Sequence, residues 1–156
     1  MTHSYTATAR WQRQPQEAFT DQRYSRRHTI AFDGGVVLPA SSSPASVPLP
    51  YSDAGAVDPE EMLVAALASC HMLWFLSLAA AAGWRVERYV DEASGTMAAN
   101  AQGKLAMATV TLRPQVVFGG GSAPDRDALH VLHQRAHEEC YIAHSVHAEV
   151  QVLPRD

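Results

Sequence analysis

Cysteine is scarce in this chain, and that scarcity excludes a class of protein. The 156 residues include only two cysteines, Cys70 and Cys140, which are too few for the disulfide scaffold of a small secreted protein. The opening residues also lack the apolar core of a signal peptide. These absences predict a cytoplasmic protein. In that reducing compartment a cysteine pair is more often catalytic, sensory or metal-binding than structural.

An excess of positive charge is also missing. Twelve Lys and Arg residues stand against 16 Asp and Glu, which gives a formal net charge of −4 and a pI near 6.0. Such a chain does not attract nucleic acid or anionic lipid over its whole surface, although Arg23, Arg26 and Arg27 form a local basic cluster. We therefore expect no nucleic-acid partner. The length suits a single domain, or two small subdomains.

The longest apolar segment contains no charged residue. Residues 62–82 carry no Asp, Glu, Lys or Arg, and as a helix they would extend about 30 Å, enough to cross a bilayer. The segment is rich in alanine, however, and has Ser69 and His71 at its centre. These features favour a central helix of a protein without a membrane partner, buried on all sides with help from a second subunit.

Signals for the start and the end of this helix are clear. Asp58 suits the N-cap, Pro59 the first helical position, and Glu60 and Glu61 the positive end of the helix dipole. Gly83 predicts the end of the helix. Before the helix, residues 39–56 contain many prolines and serines and predict an irregular surface loop.

The remaining segments read as strands, turns and one further helix. Leu129, Leu132 and Ala136 recur at helical spacing, which predicts a second helix over residues 125–139. Mixed apolar and polar runs predict strands, with turns at residues 33–35 and 100–103; these runs are residues 24–32, 84–97, 105–118 and 148–153. The order of strands, helix, strands, helix and strand predicts an α+β fold with antiparallel sheet.

Two segments resemble those of a known family. The run DPEEMLVAALASCHMLWFLSLAA, residues 58–80, is similar to the central helix of the OsmC/Ohr family, the osmotically inducible and organic hydroperoxide resistance proteins. HEECYIAHSV, residues 137–146, resembles the family's second-cysteine segment. The resemblance implies one OsmC-like domain over residues 1–156, with N-terminal strands and loop (1–56), a central helix (57–83) and a β-β-α-β portion (84–156). It further implies an intertwined homodimer, with antiparallel sheets wrapped around two long central helices.

The resemblance also implies catalytic roles. Cys70 matches the peroxidatic cysteine, Cys140 the resolving cysteine, and Glu60 the acid that pairs with a catalytic arginine. The implied activity is a thiol peroxidase that reduces organic hydroperoxides to alcohols through a sulfenic acid on Cys70 and a Cys70–Cys140 disulfide. An external dithiol would regenerate the thiols, so no metal or organic cofactor is required.

A peroxidatic cysteine needs a cation, because an ordinary thiol is mostly protonated at neutral pH. Arg26 and Arg27 lie in the predicted strand 24–32, where alternating side chains allow only one of them to face the core. We expect Arg27 rather than Arg26 to support Cys70. Ten helical residues extend about 15 Å, so Glu60 cannot touch Cys70 and would act by fixing the arginine.

Other interpretations of these residues stay open. Each cysteine suits a small buried hydrophobic position equally well. The fold could bind an apolar ligand or sense oxidants without turnover. His133, His137 and Cys140 share one helical face, with His130 and His144 nearby, and this spacing can bind zinc or another metal. His71 suits a packed or interface position, because adjacent helical residues do not face each other.

Overall fold

The structure is a computed structural model that describes residues 2–155. The described residues follow the predicted order of strands, helix, strands, helix and strand. They form two compact units, Met1–Met62 and Leu63–Asp156. The single domain expected from the sequence stays a prediction.

The first unit contains one antiparallel sheet in the order β1-β2-β3, with β1 at Ala7–Arg10, β2 at His28–Phe32 and β3 at Val37–Ala40. The predicted turn joins β2 to β3: the Phe32 amide donates to the Val36 carbonyl at 2.9 Å, and Gly35 takes a φ of 87°, a conformation that glycine adopts without strain. Strand β1 was not predicted. Strand β2 is shorter than predicted.

The irregular loop was predicted correctly over most of its length. Pro39 belongs to β3, however, because β3 is the edge strand of its sheet, and an edge strand tolerates proline. Beyond Ala40 the chain runs through turns and bends until a single bridge pairs Ala40 with Val57.

Helix α1 spans Pro59–Ala81 and begins as predicted. The Asp58 carboxylate accepts from the Glu61 amide at 2.7 Å, and the Glu61 carboxylate accepts from the Asp58 amide at 3.1 Å. This reciprocal pair is a capping box, which satisfies two amides that the helix leaves without partners. After the helix, Gly83 takes a φ of 80°, and the Trp84 amide donates to the Ala79 carbonyl.

Burial of α1 in the single chain is one-sided, and the predicted cover from a second subunit stays a prediction. One stripe at four-residue spacing is buried, namely Leu67, His71, Phe75 and Ala79, while the opposite side of the helix is open in the single chain and exposes 60% of Leu73. By length and composition alone α1 could also cross a membrane. A core helix of a soluble protein has the same length and composition, and the buried stripe of α1 packs against protein.

The second unit contains two sheets. Strands β4 (Arg85–Asp91) and β7 (Pro114–Gly119) pair antiparallel; β5 (Ser94–Ala99), β6 (Leu105–Leu112) and β8 (Glu149–Val152) form a three-stranded sheet in the order β5-β6-β8.

Two details of these sheets differ from the predictions. Each of the two long predicted strands is divided into two strands that belong to different sheets. At the division, the Arg113 amide donates to the Asp91 carboxylate at 2.6 Å. The β6–β8 pair is parallel, whereas the other strand pairs are antiparallel.

Helix α2 (Arg126–Glu139) follows the second predicted helix closely. Asp125 caps it, accepting from the Ala128 amide at 2.8 Å. Its predicted apolar face packs against α1 in a cluster with Phe75, Ala79, Leu132 and Ala136 at its centre, flanked by side chains of β4 and β7. Full burial of a residue such as Phe75 contributes about 1.5–3 kcal/mol. This contact holds the two helices that carry the cysteines.

Candidate functional site

Cys70 lies near the middle of α1. Its side chain is partly exposed, whereas the next residue, His71, is buried. A mid-helix position gives a thiolate no help from the helix dipole, which acts only within the first and last turns.

Cys140 ends helix α2. Its backbone leaves the helical region, at φ −71° and ψ 106°, while its amide still donates to the His137 carbonyl. The side chain is only 2% exposed. The Ala143 amide, in the short 3-10 helix Ala143–Ser145, donates to the Cys140 sulfur at 3.4 Å.

Both cysteines are free thiols, and their side chains form a hydrogen bond. Burial, followed by this bond to Cys70, raises the pKa of the Cys140 thiol to about 11. The negative end of the α2 dipole also disfavours a thiolate at this position. At neutral pH Cys140 therefore keeps its proton.

Cys70 opens onto an apolar cavity in the second unit. The cavity has a volume of about 290 Å³ and is lined by Cys70, Leu73, Trp74, Ser77 and Tyr141. Trp74 and Tyr141 meet edge to face, with ring centroids 5.6 Å apart. The more accessible thiol of the pair is thus the one at the wall of an aromatic cavity.

A buried histidine pair joins α1 to α2, and one of its members, His71, directly follows Cys70. His71 Nε2 is 3.1 Å from His133 Nδ1, both rings are almost completely buried, and Phe75 stacks on His133. Burial is the main reason that the pKa of His71 falls to about 4 and that of His133 to about 3. His71 is therefore a packed histidine, one of the two positions expected from the sequence.

The pairing with His133 was not predicted from the sequence, although a signal for it exists. His133 follows Leu129 by four residues and precedes Ala136 by three, so it lies on the predicted apolar face of α2.

The three other candidate residues belong to the first unit. Arg27 and Arg26 precede β2 instead of lying within it, so the predicted strand alternation does not apply to them. The Arg27 guanidinium pairs with Asp53 at 2.9 Å, and Arg26 donates to the backbone carbonyls of Gln22 and Tyr24. Neither arginine has a recorded ion pair with Glu60 among the described residues.

The histidine and cysteine face of α2 does not form a metal site with three protein ligands within residues 2–155. Cys140 contacts Cys70, and His133 contacts His71. The His144 ring contacts the Glu138 carbonyl. These contacts direct three of the candidate ligands to other partners.

Comparisons with known proteins agree with this fold. An OsmC-like protein of unknown function from Vibrio cholerae is similar in structure, with a TM-score of 0.97 and 49% identity over 99% of this chain and 100% of that one. The organic hydroperoxide resistance protein OhrB of Bacillus subtilis is 18% identical, with a TM-score of 0.67 over 98% of both chains.

A third structure shares the same fold at low identity. An organic hydroperoxide resistance protein from Elizabethkingia anophelis, with thiocyanate bound, is 14% identical, with a TM-score of 0.73 over 100% of this chain and 98% of that one. A comparison with curated proteins found no match. The family model described as OsmC-like protein matches residues 52–153, and the chain therefore belongs to the OsmC family.

Proposed function

We propose that this protein is a cysteine-based thiol peroxidase that reduces organic hydroperoxides to alcohols, acting as a cytoplasmic homodimer. The observation that carries the proposal is the contact between Cys70, which opens onto an apolar cavity, and the protonated, buried Cys140. The names of structural neighbours with the same fold, which include organic hydroperoxide resistance proteins, support it.

The reaction has two steps on the protein. The Cys70 thiolate attacks the terminal oxygen of the hydroperoxide, the O–O bond breaks, and the alkoxide takes a proton to leave as an alcohol. Cys70 is then a sulfenic acid. The Cys140 sulfur attacks it, giving a Cys70–Cys140 disulfide and water. An external dithiol reduces this disulfide by exchange and is itself oxidised to a disulfide.

The environments of the two thiols support the proposed order of action, with Cys70 first and Cys140 second. Cys70 borders the cavity, so a substrate can reach it. Cys140 is buried and has a raised pKa, so it is a poor first nucleophile. Its hydrogen bond to Cys70 keeps the second sulfur close enough to resolve the sulfenic acid.

The cavity favours organic over inorganic peroxide. Its walls are mainly apolar and aromatic side chains, and a volume of about 290 Å³ admits an organic group beside the sulfur. Hydrogen peroxide would gain nothing from these walls, whereas an alkyl or aryl tail would bury apolar surface there.

The mechanism also requires a cation near the Cys70 thiolate. None of the side chains that line the cavity is basic. In the proposed homodimer, Arg27 or Arg26 of a second copy would supply it, oriented by Glu60; this role stays a prediction.

Steady-state assays with cumene hydroperoxide and a dithiol test the function. We expect Cys70→Ser to abolish turnover and Cys140→Ser to leave a single turnover that stops at the sulfenic acid, which a dimedone probe would trap. Ser145→Ala serves as a control, because Ser145 donates to the Tyr141 carbonyl without touching either sulfur. Full turnover by Cys70→Ser would contradict the proposal.

One observation favours a second function. Without a cation at the cavity wall, Cys70 could be oxidised too slowly for efficient turnover, and the pair would then act as an oxidant sensor. In that case one equivalent of peroxide would still form the disulfide, while excess dithiol and peroxide would give negligible steady-state turnover.

A further inference from the structure

The first unit contains a cavity of its own, which neither cysteine lines. It has a volume of about 450 Å³, within the range of small-molecule sites. Its residues come from the segment before β2, from β2 itself, and from the loop and helix start that follow β3. No acidic residue lines it.

One wall of this cavity is an aromatic cluster. The rings of Phe19 and Tyr24 stack with centroids 4.6 Å apart, and Trp11 lies edge-on to Tyr24 at 5.4 Å. A hydrogen bond from Trp11 Nε1 to the Ser25 carbonyl, 2.7 Å long, fixes the indole. Trp11 and Phe19 nevertheless stay 41% and 49% exposed. The cluster is thus held together but leaves ring surface free.

The same cavity carries a positive charge without a matching carboxylate among the described residues. The Arg26 guanidinium lies 3.8 Å from the centroid of the Tyr24 ring. Within the described residues, the Arg26 guanidinium donates to neutral acceptors, namely two backbone carbonyls and the side-chain oxygen of Gln22. Among the described residues no carboxylate forms an ion pair with Arg26, whereas the adjacent Arg27 pairs with Asp53.

A ligand that suits this cavity must combine an anion with an apolar ring. A guanidinium binds a carboxylate through parallel hydrogen bonds. Within residues 2–155, Nε and one Nη2 hydrogen of Arg26 have no hydrogen-bond partner. Exposed aromatic surface favours a flat apolar body. Ser42, whose hydroxyl has no partner in the described part of the chain, lines the same cavity and adds a polar group.

We propose that this cavity binds small aromatic monocarboxylates, with the carboxylate on Arg26 and the ring against Trp11 and Phe19. This proposal and the proposed peroxidase function can fail separately, because the evidence for this site lies within the first unit and its test measures binding instead of turnover. Arg26 is nevertheless one of the two arginines proposed above as the cation for Cys70 of a second copy.

Phenylacetate is the probe, with binding followed by calorimetry and by the NMR signal of the Trp11 indole. We expect saturable binding that moves this signal. The neutral analogue phenylacetamide should bind more weakly by about tenfold or more, because hydrogen bonds between charged groups are stronger than those to a neutral amide. Arg26→Gln should weaken phenylacetate binding about as much and leave phenylacetamide unchanged.

The adjacent arginine provides the matched control. Arg27→Gln removes the same charge from the neighbouring position and should leave phenylacetate binding within about twofold, because its partner is Asp53. If Arg26→Gln does not fold, Arg26→Lys keeps the charge but loses the bidentate geometry, and binding should fall only a few-fold. Equal affinity for the acid and the amide, equal loss in both glutamine variants, or no binding would overturn the proposal.

Discussion

At the scale of single residues, the buried pair His71–His133 is the least expected contact in the molecule. In the neutral pair one ring donates and the other accepts, so the pair makes one N–H···N bond, while His71 Nδ1 and His133 Nε2 have no partner within the described residues. Buried polar atoms without partners cost free energy. This bond adds one directional interaction to an otherwise apolar contact between α1 and α2, the helices that carry Cys70 and Cys140.

The lowered pKa values of this pair predict a pH dependence of stability. The unfolded chain binds protons at both histidines below about pH 6.5, while the folded protein resists protonation until about pH 4 and pH 3. The free energy of unfolding should therefore decrease as pH falls from 6.5 toward 4, by up to about 1.4 kcal/mol per pH unit for each histidine. Urea titrations between pH 7 and pH 5 measure it.

Two variants make this test specific. His71→Leu combined with His133→Leu should flatten the slope, and His147→Gln, which changes an exposed histidine, should keep it. An unchanged slope in the double variant would mean that other groups cause the pH dependence.

The raised pKa of Cys140 predicts unequal reactivity of the two thiols. A pKa of about 11 leaves roughly one part in 10⁴ of Cys140 as thiolate at pH 7, about a hundredfold less than a thiol near its ordinary value. Limited alkylation with iodoacetamide, followed by peptide mapping, should label Cys70 well before Cys140. Labelling of Cys140 first would contradict the assigned order of action.

At the scale of elements, local chemistry was sufficient to predict several features. The start of α1 at Asp58, the turn before Gly35 and the apolar face of α2 depend on side chains that act within a few residues, and each is confirmed. Strand β1 could not be predicted this way, because its four residues are all exposed and carry no alternating burial.

The division of the long predicted strands between two sheets was also beyond local patterns. The two long predicted strands each divide where the chain passes from one sheet to another, and that change depends on pairing with distant strands instead of on local propensity. Arg26 and Arg27 illustrate the consequence, because their predicted orientation assumed a strand that begins only at His28.

The capping box of α1 predicts a measurable stabilisation. Asp58→Ala removes the acceptor for the Glu61 amide, and we expect the free energy of unfolding to fall by about 1 kcal/mol. Glu60→Gln, in the same turn but outside the capping box, is the control and should cost less than half as much. Equal losses would assign the effect to the helix dipole instead of the cap.

At the scale of the whole molecule, the site depends on contacts over long sequence separations. Cys70 and Cys140 meet because α1 and α2 pack on the β4–β7 sheet. Periodicity alone could not predict this meeting; the resemblance of two segments to the OsmC/Ohr family did. The partner of Arg27 was beyond both kinds of reasoning, since Asp53 lies in the distant irregular loop that follows β3.

The open side of α1 predicts self-association. Ala65, Ser69, Leu73 and Ser77 form an exposed, uncharged stripe opposite the buried one, and an uncovered apolar helix face of this length favours a partner. Sedimentation should give a species of twice 16.9 kDa. Ala65→Arg should shift it toward the monomer, whereas Ala101→Arg, in an exposed turn, should not. A wild-type chain that stays monomeric would contradict the proposed homodimer.

The most direct test of the central claim is peptide mapping of the protein after one equivalent of cumene hydroperoxide. Because the two thiols share a hydrogen bond and only Cys70 borders the cavity, we expect one intrachain Cys70–Cys140 disulfide and one equivalent of the alcohol. Free thiols alone, interchain disulfides, or Cys70 oxidised to sulfinic acid with Cys140 still reduced would contradict the two-cysteine mechanism.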